Sequence, residues 1–290
     1  MGRICLFRDG DLNNAVYYSN LGIEKFDPEG LRPDALHTLL VSKASYLEKL
    51  ECYEDAQNVL DILWEEEEKI SKMDVRLNMY EIQSNILNVQ GLHEKARDWA
   101  SQGIQLARWN SSFDCLVELL TVLGDICINL GKYDDAEKSY LLALSLEERV
   151  KKKYLLITTN TQLGILYLSQ SDKKKAKKYL ETATKLCGKD MFRSVAAFSA
   201  LGEYYLSIDH PKEAESVLIQ AFEFAKKLDQ DAIKKDILVQ LGQCTQKIDK
   251  GKFIKYLENS FRLDVQLRKK KRGGAFSMYR LESDPPDQAR

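Results

Sequence analysis

The sequence predicts an all-α superhelix of about six helix pairs with a period of roughly 40 residues. Three observations carry this. Small residues recur in step: Ala15, Ala56, Ala96, Ala136, Ala176, Ala214 and finally Phe253 each follow the previous anchor by roughly 40 residues. Around the best-kept anchors a fixed frame repeats, with Gly124, Gly164 and Gly202 twelve residues ahead and Ala143, Ala183 and Ala221 seven residues behind. Glycine and proline together are only 15 + 5 of 290 residues, too few turn formers for an all-β or Rossmann-type chain. Self-similarity at such a period is the mark of a stacked repeat array.

Each unit reads as two helices. The first carries apolar residues at helical spacing, as in Leu116, Leu120, Leu123 and Cys127; the second does so in Ala136, Tyr140, Ala143 and Leu144. A turn residue stands five positions before each anchor: Gly10, Glu51, Gly91, Gly131, Ser171 and Asp209. Glycine accepts the left-handed backbone that ends a helix, and Pro211 sits where a helix start needs no N–H. Gly124 and Ala136 let the helices of a pair approach, while Ala143 admits the next pair. The array opens on a half repeat, residues 11–26, which supplies a second helix (Leu12–Phe26) without its first. A domain of residues 1–268 then gives way to a tail, 269–290, basic at Arg268–Arg272 and expected to be disordered over Ser283–Arg290, where two prolines interrupt a stretch with no apolar pattern.

Composition excludes several functions. A net charge of -1 (43 basic against 44 acidic residues) argues against a globally basic nucleic-acid binder. There is no run of 18 apolar residues and no leader pattern, so no membrane partner is expected. Six cysteines, at 5, 52, 115, 127, 187 and 244, form no C-x-x-C pair and read as core residues of a reducing, cytoplasmic protein. His37, His93 and His210 lie in different units without ligand spacing, and no Walker, G-x-S-x-G or G-x-G-x-x-G phrase occurs. No metal, cofactor or catalytic residue is therefore assigned, and the protein is expected not to be an enzyme.

The phrases LGDICINLGKYDDAEKSYLLAL, LGILYLSQSDKKKAKKYLETAT and LGEYYLSIDHPKEAESVLIQAF resemble the tetratricopeptide repeat, strongest over Leu123–Ala143, Leu163–Ala183 and Leu201–Ala221 and fading towards both ends. The resemblance covers about residues 11–268 and implies a right-handed superhelix. The ordinary motif repeats about every 34 residues; the longer period here predicts longer helices. Within that class, the long period and the phrases GDLNNAVYYSNLGIEKFDPEG and KLECYEDAQNVLDILW look like the Rap/NprR/PlcR/PrgX receptors, the NprR branch above all. That resemblance implies a cytoplasmic quorum-sensing receptor. It would bind a short signalling peptide and control transcription, sporulation or a phosphorelay. The group's N-terminal DNA-binding domain, or the three-helix bundle of Rap proteins, has no counterpart in these residues. DNA is expected as a partner only if such a domain precedes them. Other readings are an adaptor docking a folded protein, an inhibitor of a response regulator, and a homodimer formed through the uncovered half repeat.

If first helices line the concave face, positions -6, -3, -2, +1, +4 and +5 from the repeat glycine share one stripe. The stripe selects Asn78, Glu81, Asn85 and Asn88; Glu118, Thr121, Asp125 and Asn129; Thr158, Thr161 and Gln162; Ser199 and Glu203; then Asp236, Gln240, Gln243 and Gln246. Amides offer a donor and an acceptor to a peptide backbone. The acids predict an acidic groove that favours a cationic ligand.

Overall fold

A computed structural model describes residues 11–27, 29–30, 34–188, 190–228 and 231–281, the last twelve for backbone only. Thirteen α-helices follow one another among these residues. The half repeat is α1 (Leu12–Glu24), and the pairs are α2 (Ala35–Lys49) with α3 (Tyr53–Glu65), α4 (Met73–Val89) with α5 (His93–Trp109), and α6 (Phe113–Asn129) with α7 (Tyr133–Ser145). Then come α8 (Leu156–Ser169) with α9 (Lys173–Lys185), α10 (Met191–Ser207) with α11 (Pro211–Ala225), and α12 (Asp231–Thr245) with α13 (Lys250–Leu281). Gly10 and Ser283–Arg290 lie outside the described residues. The last helix crosses the expected domain boundary at 268, because lysine and arginine are good helix formers and no proline interrupts them.

Packing follows the predicted frame. The alanine anchors Ala15, Ala56, Ala96, Ala136, Ala176 and Ala214 are all 0% exposed, as are Ala143, Ala183 and Ala221, so no larger side chain fits at these contacts. Phe253 takes the last anchor position half-buried. Gly124 lies against the Tyr140 ring, Gly164 against Leu180 and Gly202 against Leu218. Three successive helix pairs, α6 with α7, α8 with α9 and α10 with α11, close through such a contact. First helices of successive units touch one another (α2 with α4, α4 with α6, α6 with α8, α8 with α10), and each second helix packs on the next first helix. First helices therefore form the inner side of the curve. The core is segmented; one cluster joins Leu77 of α4, Ile104 of α5, Leu119 of α6 and Ala143 of α7. Such a core is a chain of nearest-neighbour interfaces.

The turn positions read from the sequence carry left-handed backbone: Glu51 (φ 61°), Gly91 (78°), Gly131 (71°), Ser171 (63°) and Asp209 (58°). At each, the next N–H reaches back five residues: Cys52 to Leu47, Leu92 to Leu87, Lys132 to Cys127, Asp172 to Tyr167 and His210 to Tyr205. This satisfies the last free carbonyls of the first helix. Three of the five residues carry a side chain where it costs roughly 1 kcal/mol or more. Glu51→Gly, Ser171→Gly and Asp209→Gly are each expected to raise stability by up to about 1 kcal/mol in urea unfolding, whereas Gly91→Ala and Gly131→Ala lower it by a similar amount.

The extra length of the unit goes to two places. Helices α4, α5, α6 and α10 run 17 residues each. Connections between units carry 3-10 turns, at Glu67–Lys69 after α3 and at Glu147–Arg149 and Lys153–Leu155 after α7. The second of these connections reaches the inner face.

Candidate functional site

A cavity of about 960 Å³ opens on the inner side of the first five pairs. It is walled by α2, α4 from Asp74 to Asn85, the first turns of α6, the connection into α8 with Thr158 of that helix, and the start of α10. Five predicted residues line it: Asn78, Glu81, Asn85, Glu118 and Thr158. The geometry shows a stripe longer by one helical turn than the sequence rule used. Positions -10 (Asp74, Asp114, Tyr154, Phe192) and -9 (Val75, Cys115, Leu155, Arg193) all line the cavity, followed at -6 by Asn78, Glu118 and Thr158. Extending the same 3.6-residue spacing towards the helix starts would have found them. Glu48 and Lys49, from the last turn of α2, carry the same signal: counted from Ala44, twelve residues ahead of Ala56, they stand at +4 and +5, in a unit to which the rule was not extended.

The remaining predicted residues lie elsewhere. Thr121 and Thr161 are buried between helices; their hydroxyls donate to Val117 and Ile157 carbonyls at 2.8 Å, and Thr121 also meets Thr159 at 2.7 Å. At that same -3 position the longer side chain of Glu81 reaches the cavity. Asn88, Asp125, Asn129, Gln162, Ser199, Glu203, Asp236, Gln240, Gln243 and Gln246 lie outside it. Several form rungs between neighbouring first helices. Asn129 Nδ2 donates to Asn88 Oδ1 (3.0 Å), Gln240 Nε2 to Glu203 Oε1 (2.8 Å), and Gln162 bonds Asp125. Asn85 belongs to both sets, since it lines the cavity and donates to Glu48 Oε1 at 3.3 Å. The amides read as ligand clamps thus also hold the curve together.

The expected acidic groove is corrected by the structure. Six carboxylates line the cavity (Glu48, Asp74, Glu81, Asp114, Glu118, Asp190), matched by six cations (Lys49, Lys72, Arg149, Lys151, Lys152, Arg193). The sequence stripe missed the bases because Lys49 belongs to the one unit it did not cover, Arg193 stands one turn nearer its helix start, and Lys72, Arg149, Lys151 and Lys152 stand on connections. Arg193 is the central one. Its guanidinium donates to Glu118 Oε1 (2.8 Å), Asp190 Oδ2 (2.6 Å) and Thr158 Oγ1 (3.1 Å), tying α10 to α8 and α6 at once. Asp114 Oδ1 accepts the backbone N–H of Lys151 at 2.8 Å and of Lys152 at 3.3 Å, fixing that connection at the cavity edge.

Burial raises the Glu81 carboxyl to about 8, with the neighbouring Glu118 adding to the effect and Lys49 and Arg193 opposing it. Burial likewise lifts Cys115 to about 12, a thiol held inert beside two glutamates. Asp125 rises to about 6 by burial, against hydrogen bonds from Tyr140 and Gln162 that favour its charge. A carboxyl whose folded pKa is raised stabilises the fold below its unfolded pKa, and that stability is lost as pH rises through the folded value. For Glu81 the loss runs from about pH 4.5 to 8. At about 1.4 kcal/mol per unit it amounts to a few kcal/mol. Glu81→Gln is expected to flatten this slope and to be the more stable protein at pH 9 in urea titrations.

The three histidines each face one polar neighbour: His37 Nε2 is 3.3 Å from Glu66, His93 Nδ1 2.8 Å from Asn88, and His210 Nδ1 3.4 Å from Glu213. Among the described residues no cluster of three metal-ligating side chains occurs, and no helix is long and apolar enough to cross a membrane.

A curved stack of helix pairs, closed by small residues and hollow on its inner face, is the geometry of a helical repeat array. Residues 116–189 match the tetratricopeptide repeat family model. Solved structures with the same fold include a Rap protein complexed with competence and sporulation factor (16% identity, 92% of this chain and 74% of that one, TM-score 0.64). The apo form of RapI is similar over 91% of this chain and 95% of its own, at 16% identity and TM-score 0.59. The Cut9–Hcn1 hetero-tetramer of APC/C gives TM-score 0.65 at 14% identity over 90% of this chain, which spans 45% of the Cut9–Hcn1 chain it matches. At these identities the likeness is one of fold. The tetratricopeptide architecture therefore extends over most of the chain, including units where the motif itself has faded.

Proposed function

We propose that this protein is a cytoplasmic receptor for a short signalling peptide, with transcription or a phosphorelay as its output. The observation that carries the reading is the inner-face cavity, lined by amides and by both signs of charge. Its volume of about 960 Å³ is at the upper end for a ligand site. Likeness to a Rap protein complexed with competence and sporulation factor supports it, as does the sequence resemblance to receptors of secreted peptides. The peptide lies extended along the first helices. Asn78 and Asn85 hold its backbone, while Glu81 and Glu118 meet its charge. Binding acts on the output by favouring one curvature of the stack, since a ligand shifts an equilibrium only through unequal contact with the two states.

The test is calorimetry with a peptide selected from a random pool. Asn78→Ala with Asn85→Ala is expected to weaken binding at least tenfold with far-UV dichroism unchanged, while Asn129→Ala, outside the cavity, leaves affinity alone. Equal affinity in the double variant removes this reading.

One observation favours a second reading, docking of a partner protein. Helix α13 leaves Ile254 and Phe261 54% and 68% exposed along one face, with Leu257 between them. Capture of a protein partner that Phe261→Glu abolishes, without any peptide binding, would favour that reading.

A further inference from the structure

The charges of the cavity are not all paired, and the unpaired ones are separated in space. On the cationic side, Lys49 stands 3.6 Å from Glu48, Lys72 pairs with Asp34, Arg149 lies over the Phe113 ring at 3.8 Å, and Arg193 is held by Glu118 and Asp190. The side chains of Lys151 and Lys152 have no ion pair among the described residues and are exposed. On the anionic side, Glu118 has Arg193, Glu48 has Lys49 and Asn85, Asp114 has two backbone N–H groups, and Asp74 faces water at the open edge. Glu81, partly buried on the inner wall, has no hydrogen bond or ion pair among the described residues.

The two unpaired poles sit at different depths. Asp114 anchors the backbone of Lys151 and Lys152 at the first turn of α6. Glu118, the neighbour of Glu81, is four residues further along that helix, about 6 Å at 1.5 Å per residue. A basic edge thus stands above an acidic wall.

We infer that the cavity takes a short peptide with both ends free, its α-ammonium against Glu81 and its α-carboxylate against the side chains of Lys151 and Lys152. This rests on the peptide reading above and adds an orientation to it. An ammonium group gives Glu81 the partner that the chain withholds, and two exposed lysines neutralise a carboxylate at little desolvation cost. The titratable groups facing Glu81 are Glu48 and Lys49 from α2, Glu118 and the neutral Cys115 thiol from α6, and Arg193 from α10. Burial, helped by Glu118 and Glu48 and opposed by Lys49 and Arg193, holds the Glu81 carboxyl protonated near neutral pH in the empty site, so entry of the ammonium releases a proton.

Four pools of randomised pentapeptides test this: free at both ends, acetylated at the amino end, amidated at the carboxyl end, and blocked at both. Each is mixed with the full chain, and retained peptides are counted by mass spectrometry after gel filtration. The free pool is expected to be retained at least tenfold over the doubly blocked one, with each single block intermediate. Glu81→Gln should erase the penalty of acetylation alone. Lys151→Ala with Lys152→Ala, on an exposed connection, should erase that of amidation alone. Equal retention of all four pools overturns the inference and leaves the peptide reading standing. Retention of none overturns both. For a retained free-ended pentapeptide, calorimetry in phosphate and in Tris at pH 7 should differ by a proton's ionisation heat in the wild type and agree in Glu81→Gln; agreement in both proteins contradicts the ammonium site.

Discussion

A single methyl group on Gly124 is expected to destabilise the protein by about 2 kcal/mol, within the range for overpacking. A Cβ at that position would stand 2.6 Å from Cζ of Tyr140. The ring has nowhere to go, being 1% exposed, and its hydroxyl donates to Asp125 one residue from the glycine. Moving the ring breaks that bond and leaves the half-buried Asp125 carboxylate with one partner fewer. The helix-propensity gain of alanine over glycine, roughly 1 kcal/mol, offsets only part of this. Gly242→Ala is the control, since its nearest neighbour would be Leu257 at 3.4 Å, an ordinary contact. That variant is expected to gain up to about 1 kcal/mol. Urea midpoints followed by far-UV dichroism compare the two, and equal effects would show that the glycine frame is not a packing requirement.

Removing Arg193 is expected to cost about 3 kcal/mol, the scale for taking one partner from a largely buried ionic network. Its side chain is 22% exposed, with Glu118 at 21% and Asp190 at 10%. Arg193→Ala leaves Glu118 beside Glu81 without its counter-charge. Glu118→Gln in the same chain should recover part of the loss, because two like charges no longer share the wall. The arginine also spans from α10 to α6 across α8. Its loss is therefore expected to widen the curve, measurable as a larger radius of gyration in X-ray scattering. An unchanged radius would confine Arg193 to local stability.

The repeat was legible because its cause is steric and recurs: an alanine that must be small and a glycine against a ring or a leucine leave the same mark in unit after unit. Glu51, Ser171 and Asp209 were legible as turn residues for a related reason, their distance to the anchor being fixed by the pairing of the helices. The cavity was legible only in part. Asn78, Glu81, Asn85, Glu118 and Thr158 sit where helical spacing puts them, but Thr121 and Thr161 obey that spacing and are buried, since a short side chain on the same stripe closes the gap between helices instead of filling the hollow. Arg193 escaped because it stands one turn nearer the helix start. Lys151 and Lys152 escaped because a connection between units has no period to read.

Whether a peptide occupies the hollow between α2, α4, α6 and α10 is best decided by photo-crosslinking. Randomised pentapeptides carrying one benzoylphenylalanine are irradiated with the full chain, and the adducts are mapped by mass spectrometry. Adducts are expected to concentrate on residues 74–85 and 113–118 of the inner wall and to disappear in Asn78→Ala with Asn85→Ala. Adducts confined to the outer helices, or along α13, would rule out a peptide in the hollow.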